Sequence, residues 1–484
     1  MSPGYGAIAD DHSEADSVDE LRDEILAKVE HFDLPFDADR GYRAKTLKIV
    51  SFQRPHMRAF HGSWMCFCAA WLIWFSAAPL LPVIASTIPM TTADIWKINM
   101  YSMIGTVPLR LVLGPLCDQY GGRGILTGIV GLCAALSGLT GALVGHSFLA
   151  LLSVRSLVGC IGGALVPAQF WITSHFTNEC SGVAMATAAG WGALGGALAQ
   201  GLVGSVFYPT ILEWTGDNTD LSWRLALVPP ALLALAVTTF FYFCSDDCPL
   251  GDYESVQQAG LLARTSAVNS FRTGVANVNA WILFVQFGAC LGIELTMESG
   301  LTAHLSNRFD LDLSDAASFA TLFGLCNIVT RGFGGWCSDW MQRKYSLRGR
   351  LLIHMVLLMV EGVCILAFAH ATSLSSTLVW LMIFASTGQM AMGTLFGLVP
   401  YLDRRSTGTI AGIVGAGGNV GGVALAHVFS QVASETTGFA VMASYCGISS
   451  LLTLLIVVKG YRCIVWGSEA SEAGPQMLTV PRVK

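Results

Sequence analysis

The chain has 484 residues, 53% of them hydrophobic and only 12% charged, with a mean hydropathy of +0.57, against roughly 25% charged residues in a typical soluble domain. That composition argues against a soluble enzyme. The formal charge of −6 mixes two regions, because residues 1–39 hold 12 acids against Arg22 and Lys28, which leaves a mildly basic remainder of 21 acids and 25 bases.

Residues 1–58 read as an acidic cytoplasmic tail, expected to be a solvated, disordered arm ending in a basic juxtamembrane segment. No cleavable signal peptide is expected ahead of the first apolar run. Apolar stretches of about 20 residues follow near 62–85, 96–117, 124–145, 148–172, 182–208, 224–244, 279–303, 316–338, 351–370, 376–400, 407–430 and 438–461, each long enough to cross a hydrocarbon core as a helix. The expected fold is an all-α membrane protein with twelve transmembrane helices in two six-helix halves. The halves span residues 59–244 and 279–462, joined by a cytoplasmic linker over 245–278 and followed by a cytoplasmic tail over 463–484. With the N-terminus inside, nineteen Lys and Arg residues fall in interior segments, among them Arg54, Arg58, Arg123, Arg264, Arg343, Lys344, Arg348, Arg350, Arg404, Arg405, Arg482 and Lys484. Only Lys97, Arg224 and Arg308 lie outside, a bias that orients both termini toward the cytoplasm.

The 14 cysteines sit mostly singly within apolar spans, as at Cys66, Cys133, Cys160 and Cys290, where a thiol behaves as a small hydrophobe. Neither a disulfide framework nor a metal-ligand spacing is visible, and no cofactor is expected. The bases lie in separate loops without a stripe or aromatic interleaving, which excludes nucleic acid as a partner.

An internal repeat supports the two halves. Arg110, Gly114 and Asp118 in the second helix recur as Arg331, Gly335 and Asp339 in the eighth, at an offset of 221 residues, and Gly122-Arg123 aligns with Arg343-Lys344. Gly192-x-x-Gly195-Gly196 in the fifth helix recurs as Gly418-x-x-Gly421-Gly422 in the eleventh, at an offset of 226. Two related six-helix halves with a site between them at the midplane is the architecture of major facilitator transporters. Gly114-x-x-x-Asp118-x-x-Gly121-Gly122-Arg123 resembles that superfamily's loop signature, which makes Asp118, Arg123, Asp339 and Arg343 candidates for a cytoplasmic gate closed by ion pairs.

Arg110, Arg155 and Arg331 fall within apolar spans, where an Arg costs about 2.5–3.5 kcal/mol even on the lenient insertion scale. Arg110 and Arg331 each precede a helix-end Asp by eight residues, which puts both roughly 12 Å into the membrane at 1.5 Å per residue. Two facing guanidinium groups repel unless an anion lies between them, and their forks bind planar oxyanions bidentately. The alternative, pairing with intramembrane acids, has only Glu294, Glu298 and Glu361 to draw on. Asn327, one turn before Arg331, either donates to the same anion or serves as packing glue. The glycines of the fifth and eleventh helices permit close approach of a neighbouring helix or of a ligand.

The sequence resembles the nitrate/nitrite porter family of the major facilitator superfamily, most closely the high-affinity nitrate transporters of algae and plants. The likeness runs from about Phe52 to Lys459 and includes Ser51-Phe-Gln-Arg-Pro-His-Met-Arg-Ala-Phe-His61, Ala188-Ala-Gly-Trp191-Gly192 and Gly292-Ile-Glu294-Leu-Thr. The resemblance implies that Arg110 and Arg331 clamp nitrate, that Asn327 assists, and that Gly190, Trp191, Gly192, Gly418 and Asn419 belong to the substrate path. The family's first signature usually carries Asn where this chain has Ala193, while its counterpart Asn419 is retained. A multi-pass plasma-membrane protein is implied, and a possible accessory subunit is left open.

Moving one negative charge into a cell at −100 mV costs about 2.3 kcal/mol, so uptake needs a cation, and the eukaryotic family is understood to be proton-coupled. Glu294 is the leading proton-carrier candidate, with a structural partnership to an Arg as the other reading. Arg155, followed by Val158-Gly159, resembles a coupling motif of proton symporters and would act by tuning a nearby acid. The expected function is proton-coupled uptake of nitrate, and of nitrite, across the lipid bilayer by alternating access. A nitrate/nitrite antiporter and a nitrate sensor that binds without carrying are the rivals, and the acidic tail with Ser2, Ser13 and Ser17 would serve the latter. An intramembrane enzyme has no nucleophile–base pairing to support it.

Overall fold

A computed structural model of the chain describes residues 20–90, 92–261, 266–311, 319, 322–403, 406–432 and 434–467. Ser2, Ser13, Ser17, Arg264, Arg404, Arg405, Arg482 and Lys484 lie outside the described residues. The protein is helical, apart from a two-stranded antiparallel pair, Phe36–Asp37 with Arg43–Ala44.

The principal helices run α1 His56–Phe75, α2 Met100–Tyr120, α3 Arg123–Gly138, α4 Phe148–His175, α5 Ser181–Trp214, α6 Thr219–Cys244 and α7 Val278–Phe309. The next segment, Thr330–His370, would be about 60 Å long if straight. It is broken at Tyr345 and at Ser346, whose φ is +55°. Its two arms, α8 (330–344) and α9 (347–370), fold back on each other. Thr330 bonds Gln389 at 2.7 Å and His354 bonds Thr394 at 2.7 Å, so both arms pack along α10, Leu374–Leu402. Then come α11, Thr407–Gln431, and α12, Glu435–Leu452. Nine helical segments among the described residues are long and apolar enough to span a membrane, the α8–α9 pair counting as one. Helix α1 is not among them and α3, with 16 residues, is short of the length.

Glycine sets the packing of α5 and α11. A Cβ on Gly192 would enter the Phe67 ring and one on Gly195 would strike the carbonyl of Cys68, so α5 lies directly on α1. In the second half a Cβ on Gly417 would strike the carbonyl of Phe284, and one on Gly421 would meet Gly288, so α11 lies on α7 in the same way. Close backbone approach of this kind is how small residues let helices associate without a hydrophobic driving force.

The amino-terminal segment differs from the expected solvated arm from residue 20 onward. Ile25, flanked on one helix face by Leu21 and Val29, buries against Cys248, Leu250, Val256 and Ala259 of the linker, an i, i+4 stripe that the acidic composition masks. Ala44 accepts a bond from the Thr177 amide at 2.9 Å, which ties the strand pair to the α4–α5 turn. The linker itself carries short helices at Tyr253–Gln258 and Ala267–Ala276.

Replacing Gly417 with Val is expected to cost about 1–3 kcal/mol through overpacking and to lower the melting temperature in detergent by several degrees. Gly447→Ala, in a helix with open space around it, is the neutral control. An unchanged melting temperature for the Val variant would contradict this account of the α7–α11 contact.

Candidate functional site

Between the halves lies a small cavity of about 20 Å³, space for little more than one water molecule. Arg110 from the first half and Arg331 from the second both line it, with Phe67, Trp71, Gln169, Phe287, Met392 and Phe396 among the other walls. The repeat positions the two arginines one from each half, at the same place on α2 and α8.

Their partners differ. Arg110 is 2% exposed, and its Nε and Nη2 donate to the Gly162 carbonyl at 3.0 and 2.9 Å, while Nη1 donates to the Gly415 carbonyl of α11. Three of the five guanidinium N–H groups are thus used on neutral backbone acceptors. Arg331 donates to Glu294 at 2.8 Å and touches the Met392 sulfur at 3.5 Å, while its Nε has no hydrogen-bond partner among the described residues. Asn327 donates to the other oxygen of Glu294 at 2.6 Å, and its own Oδ1 is unpartnered among the described residues. One carboxylate therefore holds both the cation and the amide, and neither Glu294 nor Asn327 lines the cavity in this conformation.

The other expected site residues divide by what they touch. A Cβ on Gly190 would strike the Asn327 carbonyl, so this glycine brings α5 against α8 behind Arg331. Trp191 is turned away from the cavity, its ring 5.4 Å from Trp64 and 6.1 Å from Phe60 on α1. Gly192 packs on Phe67 and Gly418 on Phe287 and Leu291, all three of which are cavity walls, so these glycines seat the walls rather than forming them. Asn419 is fully buried, with both amide atoms unpartnered among the described residues. Arg155 donates to the Trp74 carbonyl at 3.0 Å. The structure pairs it with helix backbone, not with a carboxyl, because the acids inside the spans all lie in the second half.

Gln169 on α4 is the wall residue that sequence reasoning passed over. It is 2% exposed, its Nε2 bonds the Met185 carbonyl at 3.3 Å, and its Oε1 has no partner among the described residues. The available signal was an amide in an otherwise apolar run, Leu165 to Ile172.

The gate residues form a seam on the linker side, but not as acid–base pairs within each motif. Asp118 accepts from the amides of Gly408 and Thr409 at 2.8 and 3.0 Å, and from the hydroxyl of Ser270. Asp339 accepts from the Val183 amide at 2.8 Å. Each Asp therefore caps the amino terminus of a glycine-rich helix in the opposite half, where the helix dipole favours a negative charge. Gly114 against Gly408, and Gly335 against Gly182, give the room for this approach. Arg123 pairs with the linker acids Asp247 at 3.4 Å and Asp252 at 2.7 Å. Burial pushes the Asp247 carboxyl up to about 6, while Arg123 pulls it the other way. The cation on Asp339 is Arg350, which is fully buried, bonds the Asn178 carbonyl of the first half at 2.7 Å and was counted as a loop residue in the charge pattern. Arg343 is exposed and lines an open groove with Glu179, Lys344, Arg348 and Arg462.

Residues 63–426 match the model of the Major Facilitator Superfamily. The chain is 33% identical over 413 residues to the Arabidopsis thaliana "High affinity nitrate transporter 2.5", covering 85% of this chain and 81% of that protein. It is 34% identical over 403 residues to the "High-affinity nitrate transporter 2.3" of Oryza sativa subsp. japonica, covering 82% and 76%. Among solved structures, the proton:xylose symporter XylE superimposes with a TM-score of 0.59 at 12% identity, over 82% of this chain and 95% of that one. That likeness concerns the fold.

Hydrogen bonds to charged groups contribute about 1.5–3 kcal/mol. Asp118→Ala should therefore speed hydrogen exchange at the amides of Gly408 and Thr409 by about ten- to a hundredfold while sparing Val183, and Asp339→Ala should do the reverse. Unchanged protection at residues 408–409 would show that the Asp118 cap does not hold the seam.

Proposed function

The chain belongs to the major facilitator superfamily, in the family of the high-affinity nitrate transporters of plants and algae, and on that footing we propose that it imports nitrate together with protons by alternating access. The observation that carries this reading is one cavity lined by a guanidinium from each half, with the second guanidinium held by a buried carboxylate. The proposal includes twelve spans with both termini cytoplasmic. The fold-back at Tyr345–Ser346 turns one long segment into two, and α1 and α3 complete six helices on each side of the linker. The basic loops then face the cytoplasm, the linker side is the cytoplasmic side, and this conformation is closed on that side by the Asp118 and Asp339 caps.

Coupling follows from competition for one cation. With Glu294 ionised, Arg331 and Asn327 are both occupied and the pull on an entering anion is weak. A proton taken up by Glu294 from the outer side removes that competitor. The Arg331 fork and the Asn327 amide are then free to turn to the cavity, where nitrate bridges them to the two N–H groups that Arg110 has not committed to backbone. Gln169 supplies an amide to a third oxygen. With the anion between the arginines their mutual repulsion is removed, the outer side closes, and separation of α2 from α11 and of α5 from α8 opens the cytoplasmic side. Deprotonation of Glu294 there recaptures Arg331 and expels the anion. Nitrite, with the same charge and two oxygens, fits the same pair of forks, and a plasma-membrane location suits the exposure to external protons that the cycle requires.

In an oocyte expressing the chain, uptake of labelled nitrate is expected to be larger at external pH 5.5 than at 7.5. Arg110→Lys or Arg331→Lys should lower nitrate uptake by about ten- to a hundredfold, since a point charge cannot reproduce the fork; normal uptake by both variants would dispose of the anion clamp. Isotopic nitrate exchange that is indifferent to external pH would identify an antiporter, and binding without uptake a sensor. Gln169→Leu is expected to weaken apparent nitrate affinity by about two- to tenfold, the worth of one ordinary hydrogen bond, with maximal uptake preserved.

A further inference from the structure

The three acids inside the spans, Glu294, Glu298 and Glu361, all lie in the second half, and of these only Glu294 bonds Arg331 and Asn327 among the described residues. Glu361, in the middle of α9, is fully buried, and neither of its carboxyl oxygens has a hydrogen-bond partner among the described residues. It lies against α10 at Gly388, where a Cβ would fall 2.6 Å from its Oε1, so the glycine makes the room the carboxyl occupies. The groups within electrostatic reach are Glu294 and Cys290 on α7, Cys446 on α12 and Cys364 on its own helix, with Arg331 and Glu298 grouped around Glu294. Among the described residues no cation bonds it, and the nearby Arg331 is committed to Glu294.

An ionised carboxylate in such a place, with neither donor nor counter-ion, costs several kcal/mol, whereas a methionine or leucine would fill the space at no electrostatic cost. Glu361 also lies outside the residues that line the anion cavity. We propose that Glu361 is a second proton site of the transporter, separate from the anion path and coupled by charge repulsion to Glu294. This rests on the proton-coupled reading above. The step is a proton transfer and nothing else: external water gives a proton to the carboxylate, and the acid returns it to water on the cytoplasmic side after the halves have rocked. Repulsion between the two carboxylates orders the events. Glu361 keeps its proton while Glu294 is ionised and unpaired, and can release it once Glu294 is neutralised, by a proton or by Arg331.

The consequence is a charge count. One proton on Glu294 makes nitrate entry electroneutral; a second on Glu361 makes each cycle carry one positive charge inward, so that the membrane potential assists uptake instead of opposing it. The test is the ratio of charge moved to isotopic nitrate taken up in the same voltage-clamped oocyte. The wild-type chain is expected to carry about one positive charge per nitrate, Glu361→Gln to carry about none while still exchanging labelled nitrate, and Glu361→Asp to retain the wild-type ratio. A Gln variant with the wild-type ratio would overturn the second site, as would loss of nitrate exchange in both variants, which would make Glu361 a packing residue. A wild-type chain whose nitrate uptake carries no charge but still rises as external pH falls would also overturn the second site, whereas uptake indifferent to external pH would refute the proton-coupled reading itself, so the two failures are distinguishable.

Discussion

Everything at the centre of this molecule follows from the cost of an unpaired charge in a low-dielectric interior. Two guanidinium groups are held there, one from each half, and the protein satisfies them differently. Arg110 is solvated by backbone carbonyls of α4 and α11, which leaves its charge uncompensated by any carboxylate it bonds. Arg331 is neutralised by Glu294, which also engages Asn327. The two pseudo-symmetric arginines therefore differ, one held by neutral carbonyls and the other by a carboxylate. In the proposed cycle this asymmetry, not the presence of two arginines, ties an anion's entry to proton uptake.

The same economy appears at the seam between the halves. Glycine at Gly114, Gly408, Gly182 and Gly335 removes side chains where α2 meets α11 and α5 meets α8. Each helix-end Asp then reaches across and caps the amino terminus of the opposing glycine-rich helix. Those caps lie on the linker side, where they hold the halves together without a fully buried hydrophobic interface, and few bonds must break for the halves to part. On the second-half side Arg350 adds a buried cation that bonds both Asp339 and the Asn178 carbonyl. On the first-half side Ser270 of the linker stands in for a cation at Asp118, so the linker takes part in the closed state instead of merely joining the halves.

Much of this was legible in the sequence because it is periodic or costly. Apolar runs, the repeat at offsets of 221 and 226 residues, and arginines in spans where they are expensive led directly to a two-half helical membrane fold and to Arg110 and Arg331. Glu294 was legible as an intramembrane acid, with its two readings, proton carrier and arginine partner, both open; the structure pairs it with Arg331, and in the proposed cycle the same contact serves both. Less visible were Gln169, a neutral amide with no cost signal, and Arg350, whose place in a basic turn made it look solvated. The acidic composition of the first 39 residues hid the Ile25 face that buries against the linker.

The sequence by itself determined where the apolar runs lie and which charges within them need a reason, since hydrophobicity along the chain is a one-dimensional property. Only the tertiary structure decided who pairs with whom. Asp118 and Asp339 bond helix amides of the other half rather than the Arg of their own motifs, and Trp191 turns onto α1 instead of the cavity. Among the described residues Glu361 is left without a partner while Glu294 takes two. The physical reason is that a hydrogen bond or ion pair is fixed within about 3 Å by elements that lie 30 to 300 residues apart in the chain, and no spacing within one helix encodes that distance.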